Sequence, residues 1–298
     1  QHVDLAKRKV TDIVSVGVAP YTVVAAKSGK LYVSNWGGNP PKAGDPSAST
    51  SGTPIRVDPR TGLANDGTLS VVGRKAGKFE QLTTISVGLH PCGMTLNAGE
   101  TRLYVANANS DSVSVIDTET ETVLETIDCK PDRRLPLGSG SNAVSLSPDG
   151  VTLYVANGTN NCICVITLSA KASGLDGGPA KSVLAGLIPT GWYPGAILVS
   201  GDGKKLVVAN VKGHGALDQA NPKQGRKTRD HLGSISIIEV PDAAQLAAYT
   251  REVNEHNRLA YSIAGLEAPR AGVKPVPVPE RHGEPSCLKH VVYIIKEN

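Results

Sequence analysis

Short apolar runs alternate with polar positions along most of the chain, and clusters of Gly, Pro, Asn and Asp break them every few residues. Four stretches share this pattern: VGVAPYTVVAAKSGKLYVSN (16–35), VGLHPCGMTLNAGETRLYVAN (87–107), LGSGSNAVSLSPDGVTLYVAN (137–157) and TGWYPGAILVSGDGKKLVVAN (190–210). Each reads as a strand, a tight turn and a second strand that ends on an asparagine. The turns are placed at Ser28-Gly29, Ala98-Gly99, Asp149-Gly150 and Asp202-Gly203, because such pairs tolerate the positive φ a hairpin needs. A third strand follows in SVSVIDTETE (112–121), CICVITLSA (162–170) and SISIIEVPD (234–242), and a fourth in TVLETIDC (122–129). The unit of about 40–45 residues has propeller-blade length. Four antiparallel strands cannot cover both of their faces alone, so neighbouring units must stack. The expectation is an all-β chain, a β-propeller of four-stranded blades over residues 1–240.

Elsewhere the alternation stops. WGGNPPKAGDPSASTSGTP (36–54) has no apolar period and reads as a long surface loop. A second loop over 211–230 carries Lys212, Lys223, Arg226, Lys227 and Arg229 against Asp218 and Asp230. It reads either as an anion-facing lid or domain contact, or as a solvated loop. One helix is predicted over 241–264, with Pro241 and Asp242 at its N-terminus and Leu246, Tyr249 and Val253 on one face. It would pack on the propeller rim or on a following domain. Prolines 275, 277 and 279 make 265–287 a semi-rigid extended linker. The closing stretch, 288–298, reads as the start of a new buried strand.

Composition narrows the functional classes. Aromatics are 4% of residues and the net charge is only +4, which leaves no positive case for nucleic-acid binding. No apolar run is long enough to span a membrane. The five cysteines form no framework, and Cys162-x-Cys164 on one strand face reads as small buried hydrophobes. Asn35, Asn107, Asn157 and Asn210 recur in every unit, which marks them as structural; the simplest partner for such a residue is a local turn.

LYVAN followed by DSVSVIDTETETVLETI resembles the YVTN repeat of YncE-like seven-bladed propellers, and the likeness covers about residues 1–240. HVDLAKRKVTDIVSVG resembles the late part of a blade. The resemblance therefore implies four to five blades here, with others missing at the front. KHVVYIIKEN resembles the first strand of alkaline-phosphatase-superfamily phosphoesterases of the acid-phosphatase and phospholipase-C-like branch, and GWYP, KGHG and KPVPVPE resemble propellers fused to such a domain. By that likeness Glu297 and Asn298 would be two ligands of a divalent metal, whose nucleophile and other ligands lie downstream. The likeness also implies a bacterial, periplasmic or extracellular protein, with the phosphoesterase domain and the absent blades as its partners and self-association a further expectation.

Other candidate chemistry is sparse. His90 and His214 fall where a propeller mouth could collect them, and Trp192 and Tyr193 read equally as the floor of a ligand mouth or as packing. Trp192, Tyr193 and His214, with Lys212, Arg226 and Lys227, form the candidate ligand or domain contact. No nucleophile elbow or P-loop occurs, and Ser139-Gly140-Ser141 has no placed base. Three readings follow: a non-catalytic propeller that scaffolds a metal-dependent phosphoesterase, a lactonase-like propeller enzyme, and a surface-exposed interaction module. The first is preferred because the closing segment names a neighbour; no catalytic residue is assigned within the chain itself.

Overall fold

The computed structural model describes residues 1–50, 52–213 and 232–294. In chain order its strands are β1 (His2–Asp4), β2 (Lys9–Asp12), β3 (Val18–Ala25), β4 (Leu31–Gly38), β5 (Ser47–Thr50), β6 (Thr53–Arg56), β7 (Thr68–Lys75), β8 (Lys78–Ser86), β9 (Pro91–Leu96), β10 (Arg102–Asn107), β11 (Ser112–Asp117), β12 (Thr122–Asp128), β13 (Ser141–Leu146), β14 (Thr152–Asn157) and β15 (Cys162–Thr167). The single-turn helix α1 (Ala170–Ser173) precedes β16 (Val183–Pro189), β17 (Trp192–Val199), β18 (Lys205–Gly213) and β19 (Ser234–Glu239). Helices α2 (Ala243–His256) and α3 (Leu259–Leu266) come last.

Three antiparallel meanders of four strands, β3-β4-β7-β8, β9 to β12 and β13 to β16, stand beside a three-stranded sheet β17-β18-β19. These are propeller blades, and β1-β2 forms a separate hairpin in front of them. The four recurrent asparagines hold one register position. Asn35 faces Thr68, Asn107 faces Ser112, Asn157 faces Cys162 and Asn210 faces Ser234.

Period 2 along the strands then decides the core. From each blade, the residues one and three beyond that register point are turned to the next blade. Leu69 and Val71 of the first blade pack with Leu103 and Val105 of the second. Val113 and Val115 meet Leu153 and Val155, and Ile163 and Val165 meet Leu206 and Val208. Each fully buried side chain of this kind contributes about 1.5–3 kcal/mol, so stacking of neighbours, rather than any single sheet, holds the fold. On the fourth blade the corresponding Ile235 and Ile237 are 69% and 68% exposed.

Several expectations need correction. Residues 36–54 are not one loop: β4 runs on to Gly38, and β5 and β6 pair as a hairpin with Thr50 opposite Thr53. Their polar Ser-Ala-Ser-Thr and Thr-Pro-Ile-Arg sequences hide the pairing from a hydrophobic pattern. The turn at Ala98-Gly99 places its left-handed residue at Glu100 (φ 54) rather than at the glycine. The helix over 241–264 is two helices, broken where Arg258 takes φ 53. Pro241 lies outside α2; Asp242 is its cap, accepting from the Gln245 N–H at 2.8 Å. α1 was not foreseen; Ser169 caps it and a left-handed Gly174 ends it within a turn.

The stretch 265–287 is not an extended spacer either. His282 N–H donates to Gly265 O at 3.1 Å and Cys287 N–H to Val276 O at 3.2 Å. The Arg270 guanidinium grips the buried Glu284 carboxylate through two bonds, of 2.7 and 3.0 Å. Proline sets local φ, but charge-assisted bonds between distant residues fold the segment back. Residues 288–294 belong to no strand and are exposed; no strand among the described residues pairs with them. Among the described residues no helix is long and apolar enough to cross a membrane.

Candidate functional site at the propeller mouth

Three repeat positions build most of the mouth; only Ala19 and Gly158 among their residues do not line it. The first is a left-handed residue just before or at the second position of the innermost strand: Ala19 (φ 53), His90 (φ 56), Gly140 (φ 67) and Tyr193 (φ 57). Each precedes the residue paired with the recurrent asparagine, namely Pro20, Pro91, Ser141 and Pro194. For His90 and Tyr193 this conformation costs about 1–3 kcal/mol, and the repeat architecture imposes it in every blade. The second position, two residues on, supplies Tyr21, Cys92, Asn142 and Gly195, all of which line one cavity of about 1020 Å³. The third follows the asparagine; its Trp36, Ala108 and Val211 also line that cavity.

The first blade contributes the aromatic side. Tyr21 stacks on Trp36 with ring centroids 4.5 Å apart, and Trp36 meets the His90 ring at 4.1 Å. Burial lowers the pKa of His90, so the imidazole is neutral at pH 7. The Cys92 thiol, donating to His90 O at 3.3 Å, is pushed up to about 11 by burial and stays protonated. Both polar atoms of the Asn142 amide are buried without a hydrogen-bond partner, while the indole of Trp36 adjoins the Cys92 thiol. Across the mouth, Lys212 Nζ lies 5.4 Å from the centre of the Tyr193 ring.

Of the residues expected to form a ligand or domain contact, Tyr193 and Lys212 come together here. Trp192 is half-exposed and outside the cavity lining. His214, Arg226, Lys227, Glu297 and Asn298 lie outside the described residues. Sequence reading missed Tyr21, Trp36, Cys92 and Asn142. Their signal was the set of aligned repeat columns whose side chains differ from blade to blade.

The recurrent asparagines do not serve local turns. Asn35, Asn107 and Asn210 each reach across to two hydroxyls of the next strand, Thr68 and Ser70, Ser112 and Ser114, and Ser234 and Ser236, at 2.8–3.2 Å. Each also packs on the glycine that opens its repeat. A Cβ added to Gly17, Gly88 or Gly191 would come within 2.6–2.7 Å of the amide. Among the described residues no group of three His, Cys, Asp or Glu could hold a metal ion.

No family model matches the chain, and no curated protein does. Among solved structures, it is similar to the hydrazine synthase of Kuenenia stuttgartiensis, with a TM-score of 0.48, 21% identity and coverage of 77% of this chain and 48% of that one. It is similar to the periplasmic gluconolactonase PpgL of Pseudomonas aeruginosa at a TM-score of 0.49 and 18% identity, covering 69% and 55%. A Lactobacillus plantarum protein gives a TM-score of 0.49 and 15% identity over 80% and 62%. The chain thus spans about half to three-fifths of the length of these structures. Likeness of this extent carries no activity to the chain, and the assignment of propeller blades rests on the sheets themselves.

Proposed function

We propose that this propeller is a non-catalytic scaffold that holds a metal-dependent phosphoesterase domain in a fixed position. The observation that supports the reading is the docking of the C-terminal segment onto the blades. α2 lies along β16: Thr250 Oγ1 accepts from the Leu187 N–H at 2.9 Å, and Leu246 sits where Gly186 has no side chain. At the end of α2, Asn257 Nδ2 donates to Asn160 O of the third blade at 3.0 Å. α3 and Val278 to His282 then border a cleft shared with Leu137 and Gly138, residues that also line the mouth. A domain following the sequence KHVVYIIKEN would be carried on this bound segment rather than on a free tether.

The mouth lining favours this reading over a lactonase-like enzyme, because its described residues include no carboxylate to bind a cation or move a proton. A chain continuing past Asn298 is expected to hydrolyse a phosphoester with a divalent metal acting on the phosphate. Replacing Glu297 by Gln there should lower metal affinity and activity together, and residues 1–286 alone should be inactive. Hydrolysis by residues 1–286, or full activity of the Glu297→Gln protein, overturns the proposal.

A further inference from the structure

The mouth contains an amide that the fold itself leaves unpaired. Asn142 Nδ2 and Oδ1 are both shut off from solvent and neither has a partner, whereas its neighbour Ser141 is fully used, donating to Asn157 Oδ1 at 2.7 Å. A buried amide without bonds is retained against a free-energy cost and calls for an explanation. Beside it stands the side chain of Tyr193. A Cβ added to Gly158 would fall 2.7 Å from Asn142 Nδ2 and 3.0 Å from Tyr193 Cζ, so amide and ring adjoin over a glycine that leaves them room. Tyr193 is itself only half-buried and is held from outside by Lys212 at 5.4 Å.

We infer that the mouth is a binding site for a small, neutral, planar molecule with a carboxamide or lactam edge, which pairs with the Asn142 amide as the Tyr193 ring swings aside. An amide presents a donor beside an acceptor, and the group that satisfies both at once carries the complementary pair in one plane. Stacked Tyr21 and Trp36 give the cavity an aromatic wall. A neutral ligand fits because the described lining holds no Asp, Glu, Lys or Arg, Lys212 standing beyond the Tyr193 ring, and its one imidazole is uncharged. An ion there would lose its hydration with no counter-charge to replace it. The cavity, about 1020 Å³, is of a size that small-molecule sites adopt.

The test uses benzamide and methyl benzoate, planar rings of similar size of which only the first offers both donor and acceptor. Titration of the whole chain, followed by ligand-observed NMR, should show benzamide binding at least about tenfold more tightly than methyl benzoate. Asn142→Leu should remove that preference by weakening benzamide alone, and a thermal melt establishes that this variant is folded. Equal affinities for the two probes in the unmodified chain, or no saturable binding of benzamide, overturns the inference without reference to any variant. Unchanged benzamide preference in a folded Asn142→Leu protein overturns it as well.

Discussion

The Asn157 amide donates to the Cys164 thiol at 3.1 Å, in the place where Asn107 meets Ser114 at 3.0 Å and Asn210 meets Ser236 at 2.8 Å. The Cys-x-Cys pair is therefore the third blade's version of a Ser-x-Ser pair, set in register opposite the recurrent asparagine. Asn157 also gives its second proton to Cys129 O at 2.8 Å, closing the seam to the preceding blade. Replacing Cys164 by Ser keeps a partner for the amide and should change stability by less than about 1 kcal/mol. Replacing Asn107 by Leu leaves the buried Ser112 and Ser114 hydroxyls without the amide and crowds Gly88, and should cost about 2–4 kcal/mol. Denaturant melts of the two variants check both figures.

This relationship shows what was legible in the sequence and what was not. The asparagines and their register could be read because strand period and repeat length fix them together. The partners could not, because a hydrogen bond to the neighbouring strand leaves no trace in hydrophobic alternation. The mouth was hidden for a related reason. Trp36, Ala108 and Val211 occupy equivalent positions yet share no chemistry, so a search for recurring residues passes over them. The folded-back stretch 265–287 escaped because its pairing of Arg270 with Glu284 spans a proline-rich sequence that looks extended residue by residue.

Gly186 decides whether the C-terminal segment stays on the propeller. A Cβ there would sit 2.6 Å from Leu246 Cγ and 2.7 Å from Thr250 Oγ1. Since α2 buries Val253 and rests Leu246 on this strand, Gly186→Val should lift the helix without disturbing the inner strands. Limited proteolysis should then cleave within residues 241–266 faster than in the unmodified protein. Resistance equal to the unmodified protein's would show that α2 is held by contacts other than those at Gly186.

Glu284 makes the same segment sensitive to acid. Its bond to Arg270 holds the carboxyl down at about 2, against an ordinary value of 4.5. A depressed acid contributes stability that is fully present above the unfolded value and disappears as pH falls through the folded one. The clamp should be intact at neutral pH, weaken below about pH 4.5 and be gone near pH 2. Hydrogen exchange at Val276 and Cys287, whose amides donate across the fold-back, reads this directly. Glu284→Gln should give fast exchange at these amides at pH 7, where the unmodified protein exchanges slowly.

The trailing face of the fourth blade should make the chain associate with itself. Leu69 and Val71, Val113 and Val115, and Ile163 and Val165 are buried by the blade that follows them, while the equivalent Ile235 and Ile237 stand open. Among the described residues β19 is also the outer strand of its three-stranded sheet, so an edge with no paired strand among them adjoins the apolar face. Removing such side chains from water is worth about 1.5–3 kcal/mol each, and two copies meeting on this face would gain that on both sides. Sedimentation velocity should show mass rising with protein concentration. Ile235→Lys with Ile237→Lys should return the protein to a monomer without loss of β-structure, since both side chains are mostly exposed. A monomer at high concentration before any substitution would mean that the edge and face are protected in solution, and the expectation fails.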